Sequence, residues 1–162
     1  MTRLRSIAGS LLFLVVAPGI VAVLVPFALT GWDGSAGVVL QLVGLALVAA
    51  GGAVLLTAFA RFALQGLGTP APIAPTRHLI VTGVYRHVRN PMYVALCVVI
   101  LGQAAILGSA ALVLYAAVVW VPFALFARFY EEPALARTYG QEYQAYRRAV
   151  PAWIPRLRPW RP

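Results

Sequence analysis

Long apolar runs without a single charge constrain this chain more than any other feature. Ile7–Leu29 is one and Ala36–Phe59 is a second, with Gln41 as a polar interruption. Tyr93–Leu107 is shorter, and Ser109–Phe126 follows it almost at once. A bilayer core asks for about 20 apolar residues of helix. The runs are continuous and do not alternate with polar residues, so they predict helices and not barrel strands. The last two read as a helical hairpin turning at Leu107-Gly108-Ser109. Hydrophobic residues make up 62% of the 162, against about 45–50% in soluble domains. A single membrane domain is therefore expected.

The charges select the topology. All thirteen basic residues are Arg, and four acids oppose them: Asp33, Glu131, Glu132 and Glu142. Arg3 and Arg5 precede the first run; Arg61, Arg77, Arg86 and Arg89 follow the second; the remaining seven, from Arg128 to Arg161, follow the fourth. With four spans every Arg falls on one side, which the positive-inside rule makes cytoplasmic, with both termini there. Three or five spans break that segregation. The first run lacks a small-x-small cleavage site and is long for a signal peptide, so it reads as a retained span. A net charge of +9 on a soluble chain would suggest nucleic acid. Beside apolar spans it points instead to anionic lipid, and no nucleic-acid partner is expected. The lone Cys97 allows no intrachain disulfide. Ala46, Ala49, Ala50, Gly51, Gly52 and Ala53 give the second run a small-residue face of the kind that lets helices approach closely.

The polar remainder forms two blocks. Residues 66–93 open with Pro70, Pro72 and Pro75, which favour an extended segment. Leu79-Ile80-Val81 follows and ends at Thr82-Gly83; then Tyr85, Arg86, His87, Arg89 and Asn90 crowd against Pro91, suited to a first helical turn. Residues 128–160 begin with Arg128-Phe129-Tyr130-Glu131-Glu132-Pro133. Glu132 before Pro133 looks like an N-cap, which leaves Glu131 free to receive a cationic ligand group. Leu135, Tyr139, Tyr143, Tyr146 and Val150 recur at helical spacing, predicting an amphipathic helix over 133–149. Pro151, Pro155 and Pro159 with Trp153 and Trp160 read as an extended strap. No Cys/His cluster has metal spacing, and no Walker A or GxGxxG motif occurs.

The two blocks resemble the isoprenylcysteine carboxyl methyltransferase and phospholipid methyltransferase superfamily. The matching stretches are His78-Leu79-Ile80-Val81, Gly83-Val84-Tyr85, Arg89-Asn90-Pro91-Met92-Tyr93, Glu131-Glu132, Gly140-Gln141-Glu142-Tyr143-Gln144-Ala145-Tyr146 and Val150-Pro151. Asn90 stands where the carboxyl methyltransferases carry His, although related bacterial members read Arg-Asn-Pro-Met-Tyr. The resemblance covers residues 62–156 and implies an all-α integral membrane protein. Its four transmembrane helices would include the hairpin, with a cytoplasmic cofactor-binding loop and a C-terminal amphipathic helix. In domain terms, 1–61 supplies two N-terminal helices, and 62–162 a methyltransferase-like module of loop 66–92, hairpin 93–127, and helix and tail 131–162.

The resemblance further implies S-adenosyl-L-methionine as cofactor and a small lipophilic acceptor: a phospholipid amine, an isoprenoid or prenylcysteine-like carboxylate, or a thiol. Carried over by position, His78, Leu79, Ile80, Val81, Tyr85, Arg89, Asn90, Pro91, Met92, Tyr93 and Glu131 hold the cofactor, and Tyr93 and Arg128 face the reacting groups. The expected location is the bacterial cytoplasmic membrane. Rival readings are an NADPH-dependent reductase of the sterol-reductase-like branch and a non-enzymatic membrane protein that keeps the fold.

Overall fold

The computed structural model describes residues 16–65 and 79–161. Five helices carry these residues: α1 (Val16–Thr30), α2 (Val38–Gln65), α3 (Pro91–Leu107), α4 (Ala110–Phe126) and α5 (Glu132–Ala149). A 3₁₀ turn, Gly83–Arg86, sits between α2 and α3, and a π-turn, Ala127–Glu131, joins α4 to α5 without a break. Among the described residues the regular structure is all helical. Among the described residues two helical stretches are long and apolar enough to cross a membrane, Val38–Arg61 and the apolar part of Ala110–Ala149. α1 and α3 are shorter apolar helices. The outward side chains of α2 and α4 are apolar: Val38, Val39, Leu42, Leu114 and Val118 are all exposed. A surface of that kind is stable against lipid and not against water.

The hairpin turns where its sequence predicts. Gly108 closes α3 in the left-handed region, φ +66, and the Ser109 side chain accepts from the Leu112 N–H to open α4. Both are the residues those positions favour. α2 and α3 share the most extensive interface. Glycines make it possible, although the tightest points lie partly outside the small-residue face seen in the sequence. A Cβ on Gly44 would fall 2.5 Å from the Gly102 carbonyl oxygen, and one on Gly51 2.9 Å from Val99 Cγ2, whereas Gly52 faces open space. Gly44→Ala must therefore push two backbones apart. A loss of about 1–3 kcal/mol is expected, as for overpacking elsewhere, and a denaturation curve in detergent against Gly52→Ala as control reads it directly.

α1 is locally widened by a π-turn over Ile20–Leu24, just before Pro26. Proline has no N–H, so carbonyls one turn earlier lose their helical donor. Other helices supply the missing donors: Gln103 Nε2 donates to the Ala22 carbonyl at 2.8 Å, and the Tyr115 hydroxyl donates to that of Val21 at 2.9 Å. This is the way membrane helices tolerate proline, and it ties α1 to α3 and α4.

α5 presents the predicted face. Tyr143, Tyr146 and Val150 are buried, with Leu135 and Tyr139 packed against them. Gly140 interrupts it at φ 53, ψ −123, a conformation that favours glycine, so the helix is bent and not straight. The expected N-cap at Glu132 is corrected. The helix does not begin at Pro133; it runs in from α4 through the π-turn, the Glu132 N–H bonds the Ala127 carbonyl, and no side chain caps it. Glu132 is left to do something else.

Candidate active site

The junction of α4 and α5 places the two acids side by side on different partners. Glu132 gathers cations: its carboxylate lies 2.8 Å from Arg89, 3.1 Å from Arg128 and 3.2 Å from Arg147. Arg89 and Glu132 are each only 12% exposed, while Arg128 is 62% exposed. Arg89 also donates to the Val150 carbonyl at 3.0 Å and to the Tyr143 hydroxyl at 3.1 Å. One guanidinium thus joins the segment before α3 to α5 and to the residue that ends it. Mostly buried charges of this kind are held only when paired and hydrogen-bonded.

Glu131 faces a different environment. The Tyr93 hydroxyl donates to its Oε1 at 2.6 Å. Burial lifts the Glu131 carboxyl above the ordinary carboxylate range; the Tyr93 hydrogen bond pulls it back, and the Glu132 charge adds a further upward push. No cation among the described residues pairs with it. Tyr93 is itself fixed by rings, stacked on Phe123 at 4.7 Å between centroids and 6.4 Å from Trp153, which meets Trp120 edge-on at 5.7 Å. A partly buried acid with one oxygen engaged and no counter-charge is suited to receive an ammonium group.

The loop residues pack between α2 and α5. Ile80 and Tyr85 are buried with Ala58 of α2, and Leu79 and Val81 turn the other way onto Tyr143, Tyr146 and Val150. This alternation spreads Leu79-Ile80-Val81 between α2 and α5. No hydrogen bond joins their backbone to another described residue. Gly83 at φ +58 starts the 3₁₀ turn, and the Tyr85 carbonyl accepts from the Tyr146 hydroxyl at 2.7 Å. Met92 packs against Tyr85 and the α2–α3 core, and Pro91 occupies the first turn of α3. Asn90 precedes it without a side-chain cap. His78 lies outside the described residues, as do the prolines of the preceding segment.

The sequence reads the tail as an extended strap but does not disclose what it pairs with. The strap pairs by backbone with the loop: Arg89 N–H to the Pro151 carbonyl, Asn90 N–H to Ala152, Arg156 N–H to His87 and Trp160 N–H to Arg86. It brings Trp153 to Tyr93 and Trp160 to Tyr146. Backbone pairing between distant segments leaves little trace in side-chain pattern; the spaced prolines and tryptophans were the available signal. A separate open apolar cavity of about 780 Å³ lies among α1, α2 and α3, lined by Ala22, Leu55, Val99, Gln103 and Ile106. None of the expected site residues among the described residues lines it.

A family model described as phospholipid methyltransferase matches residues 39–142. Over 80 residues the chain is 38% identical to the Protein-S-isoprenylcysteine O-methyltransferase of Schizosaccharomyces pombe, a match covering 48% of this chain and 34% of the relative. The fold is similar to that of a eukaryotic intramembrane Ras methyltransferase, isoprenylcysteine carboxyl methyltransferase. That likeness has a TM-score of 0.58 at 24% identity and covers 75% of this chain and 44% of the other. The matched part is therefore less than half the length of either relative.

Proposed function

The chain belongs to the phospholipid methyltransferase family, and on that premise we propose that it is a membrane-embedded methyltransferase using S-adenosylmethionine on a small lipophilic acceptor. The observation that carries the proposal is Glu131: a partly buried carboxylate, oriented by Tyr93 through Oε1 and lacking a cation among the described residues. Its chemistry fits the ammonium end of that cofactor. The backbone of Leu79–Val81, which pairs with no other backbone among the described residues, fits the hydrogen-bonding edge of the adenosyl part. Bound there, the cofactor supplies an electrophilic methyl group on a sulfonium.

The chain's own residues bind and orient. Glu131 accepts from the ammonium, Tyr93 holds Glu131 in place, and Phe123 and Trp153 hold Tyr93. The Arg89–Glu132 pair locks α5 against the segment before α3, and the strap covers the loop. Arg128, exposed beside Glu132, would meet an anionic part of an acceptor at the membrane edge. Holding donor and acceptor in contact, with water excluded, supplies most of the rate in a displacement of this type. The acceptor class comprises a phospholipid amine, an isoprenoid or prenylcysteine-like carboxylate, and a thiol.

The same reading takes all four apolar helices as spans of a bacterial cytoplasmic membrane, with the loop, α5 and both termini on the cytoplasmic side. A reporter fused after Pro162 should read cytoplasmic; a periplasmic reading sinks the four-span arrangement. Calorimetry in nanodiscs should detect S-adenosylmethionine or S-adenosylhomocysteine binding worth about 6–8 kcal/mol, the micromolar range. Binding of NADPH with no heat from either sulfur compound would overturn the proposal.

A further inference from the structure

A second, smaller pocket lies at the end of α2, and neither Glu131 nor Tyr93 lines it. It has a volume of about 380 Å³ and is lined by Thr57 and Arg61 of α2, by Gly83, Val84, Arg86 and His87 of the loop, and by Pro159 of the strap. No acid lines it. Each cationic or polar head has a structural reason to be there. Arg61 lies flat against the turn: a Cβ on Gly83 would come within 2.8 Å of its Nε and 2.9 Å of its Cζ. The bare glycine backbone thus makes room for the guanidinium. Arg86 donates through Nε to the Trp160 carbonyl, which fixes its plane and leaves its terminal nitrogens for another partner. His87 Nδ1 lies 2.8 Å from the Arg156 carbonyl. A carbonyl only accepts, so Nδ1 carries the proton and Nε2 is the nitrogen left for another partner.

Arg61 makes no ion pair or hydrogen bond with another described residue. Two guanidiniums that share a pocket without an acid repel each other, and an anion between them offsets that repulsion. Arginine's planar fork matches a phosphate in particular. Arg61 is also the last residue of the apolar stretch Val38–Arg61, which sets the pocket at headgroup depth. We infer that this pocket binds a phosphate-bearing anion, held by Arg61 and Arg86 against the 83–87 turn. The inference does not rest on the methyl-transfer reading, because none of its residues belongs to the Tyr93–Glu131 contact.

The test uses the full chain in nanodiscs of mixed phosphatidylglycerol and phosphatidylcholine, with retained lipid counted by native mass spectrometry. The wild type should retain phosphatidylglycerol preferentially, and Arg61→Gln should cut that preference about fivefold, the scale of one arginine at an anionic surface. Arg161→Gln, which removes an equal charge from the exposed tail, should leave it unchanged. Gly83→Ala keeps every charge but drives a Cβ into Arg61, and should also lower the preference. A parallel thermal-shift titration with inorganic phosphate in neutral detergent distinguishes the source. Stabilisation of the wild type but not Arg61→Gln assigns the site to free phosphate as well as to lipid. Equal losses in Arg61→Gln and Arg161→Gln, or no loss in either Arg61→Gln or Gly83→Ala, overturn the inference.

Discussion

Glu132→Ala should cost about 3 kcal/mol or more of stability, the scale for removing one partner of a buried ion pair. Most of that comes from what is left behind. Arg89 stays largely buried at 12% exposure, now without a carboxylate and close to Arg147, which shared it. Arg128 contributes little to the loss, being 62% exposed and screened by solvent. An N-cap role would instead predict about 1 kcal/mol, and would predict no coupling to Arg89. A double-mutant cycle of Glu132→Ala with Arg89→Ala, followed by denaturation in detergent, separates the two. Strong coupling is expected, because removing both charges leaves no orphan; additive losses would return Glu132 to a local role on its own helix.

Glu131→Gln should behave in the opposite way on stability. The substitution keeps an acceptor for the Tyr93 hydroxyl and removes the partly buried charge. Because burial raises the Glu131 pKa in the folded protein, the folded state binds that proton more tightly than the unfolded chain. The stability associated with protonation is fully present below the ordinary carboxylate range and is lost as pH rises through the higher folded value. At neutral pH the wild type therefore bears a cost that Gln does not, and Glu131→Gln should melt higher than wild type. The advantage should shrink as pH falls into the carboxylate range. Cofactor binding should weaken by about 1.5–3 kcal/mol, the scale of a hydrogen bond to a charged group. A melting-temperature series over pH, paired with calorimetry on the same variant, checks both halves. Unchanged affinity would remove Glu131 from the site, whatever the stability does.

The contrast between these two neighbours shows what a sequence discloses. The hairpin turn was legible because Gly108 and Ser109 each suit one backbone position. The buried face of α5 was legible because Tyr139, Tyr143 and Tyr146 keep helical spacing. Glu132 was misread because its strongest partner, Arg89, lies 43 residues away, and because a π-turn let the helix run through Pro133 without a fresh start. Pro26 signalled an irregularity in α1, yet nothing local pointed to Gln103 and Tyr115 as the donors that repair it. The pairing of the strap with Arg86–Asn90 runs through backbone groups that every residue carries, so side-chain pattern was silent about it.

The central claim is that this fold moves a methyl group from S-adenosylmethionine to a lipophilic acceptor. Incubating the protein in membranes with S-adenosylmethionine tritiated in the methyl group, then extracting with organic solvent, measures that transfer directly. The account predicts organic-soluble tritium that rises with wild-type protein and falls at least tenfold for Glu131→Gln at limiting cofactor, about the 1.4 kcal/mol that one decade represents. Counts from wild type no higher than those from protein-free membranes, across phospholipid, isoprenoid-carboxylate and thiol acceptors, would contradict it.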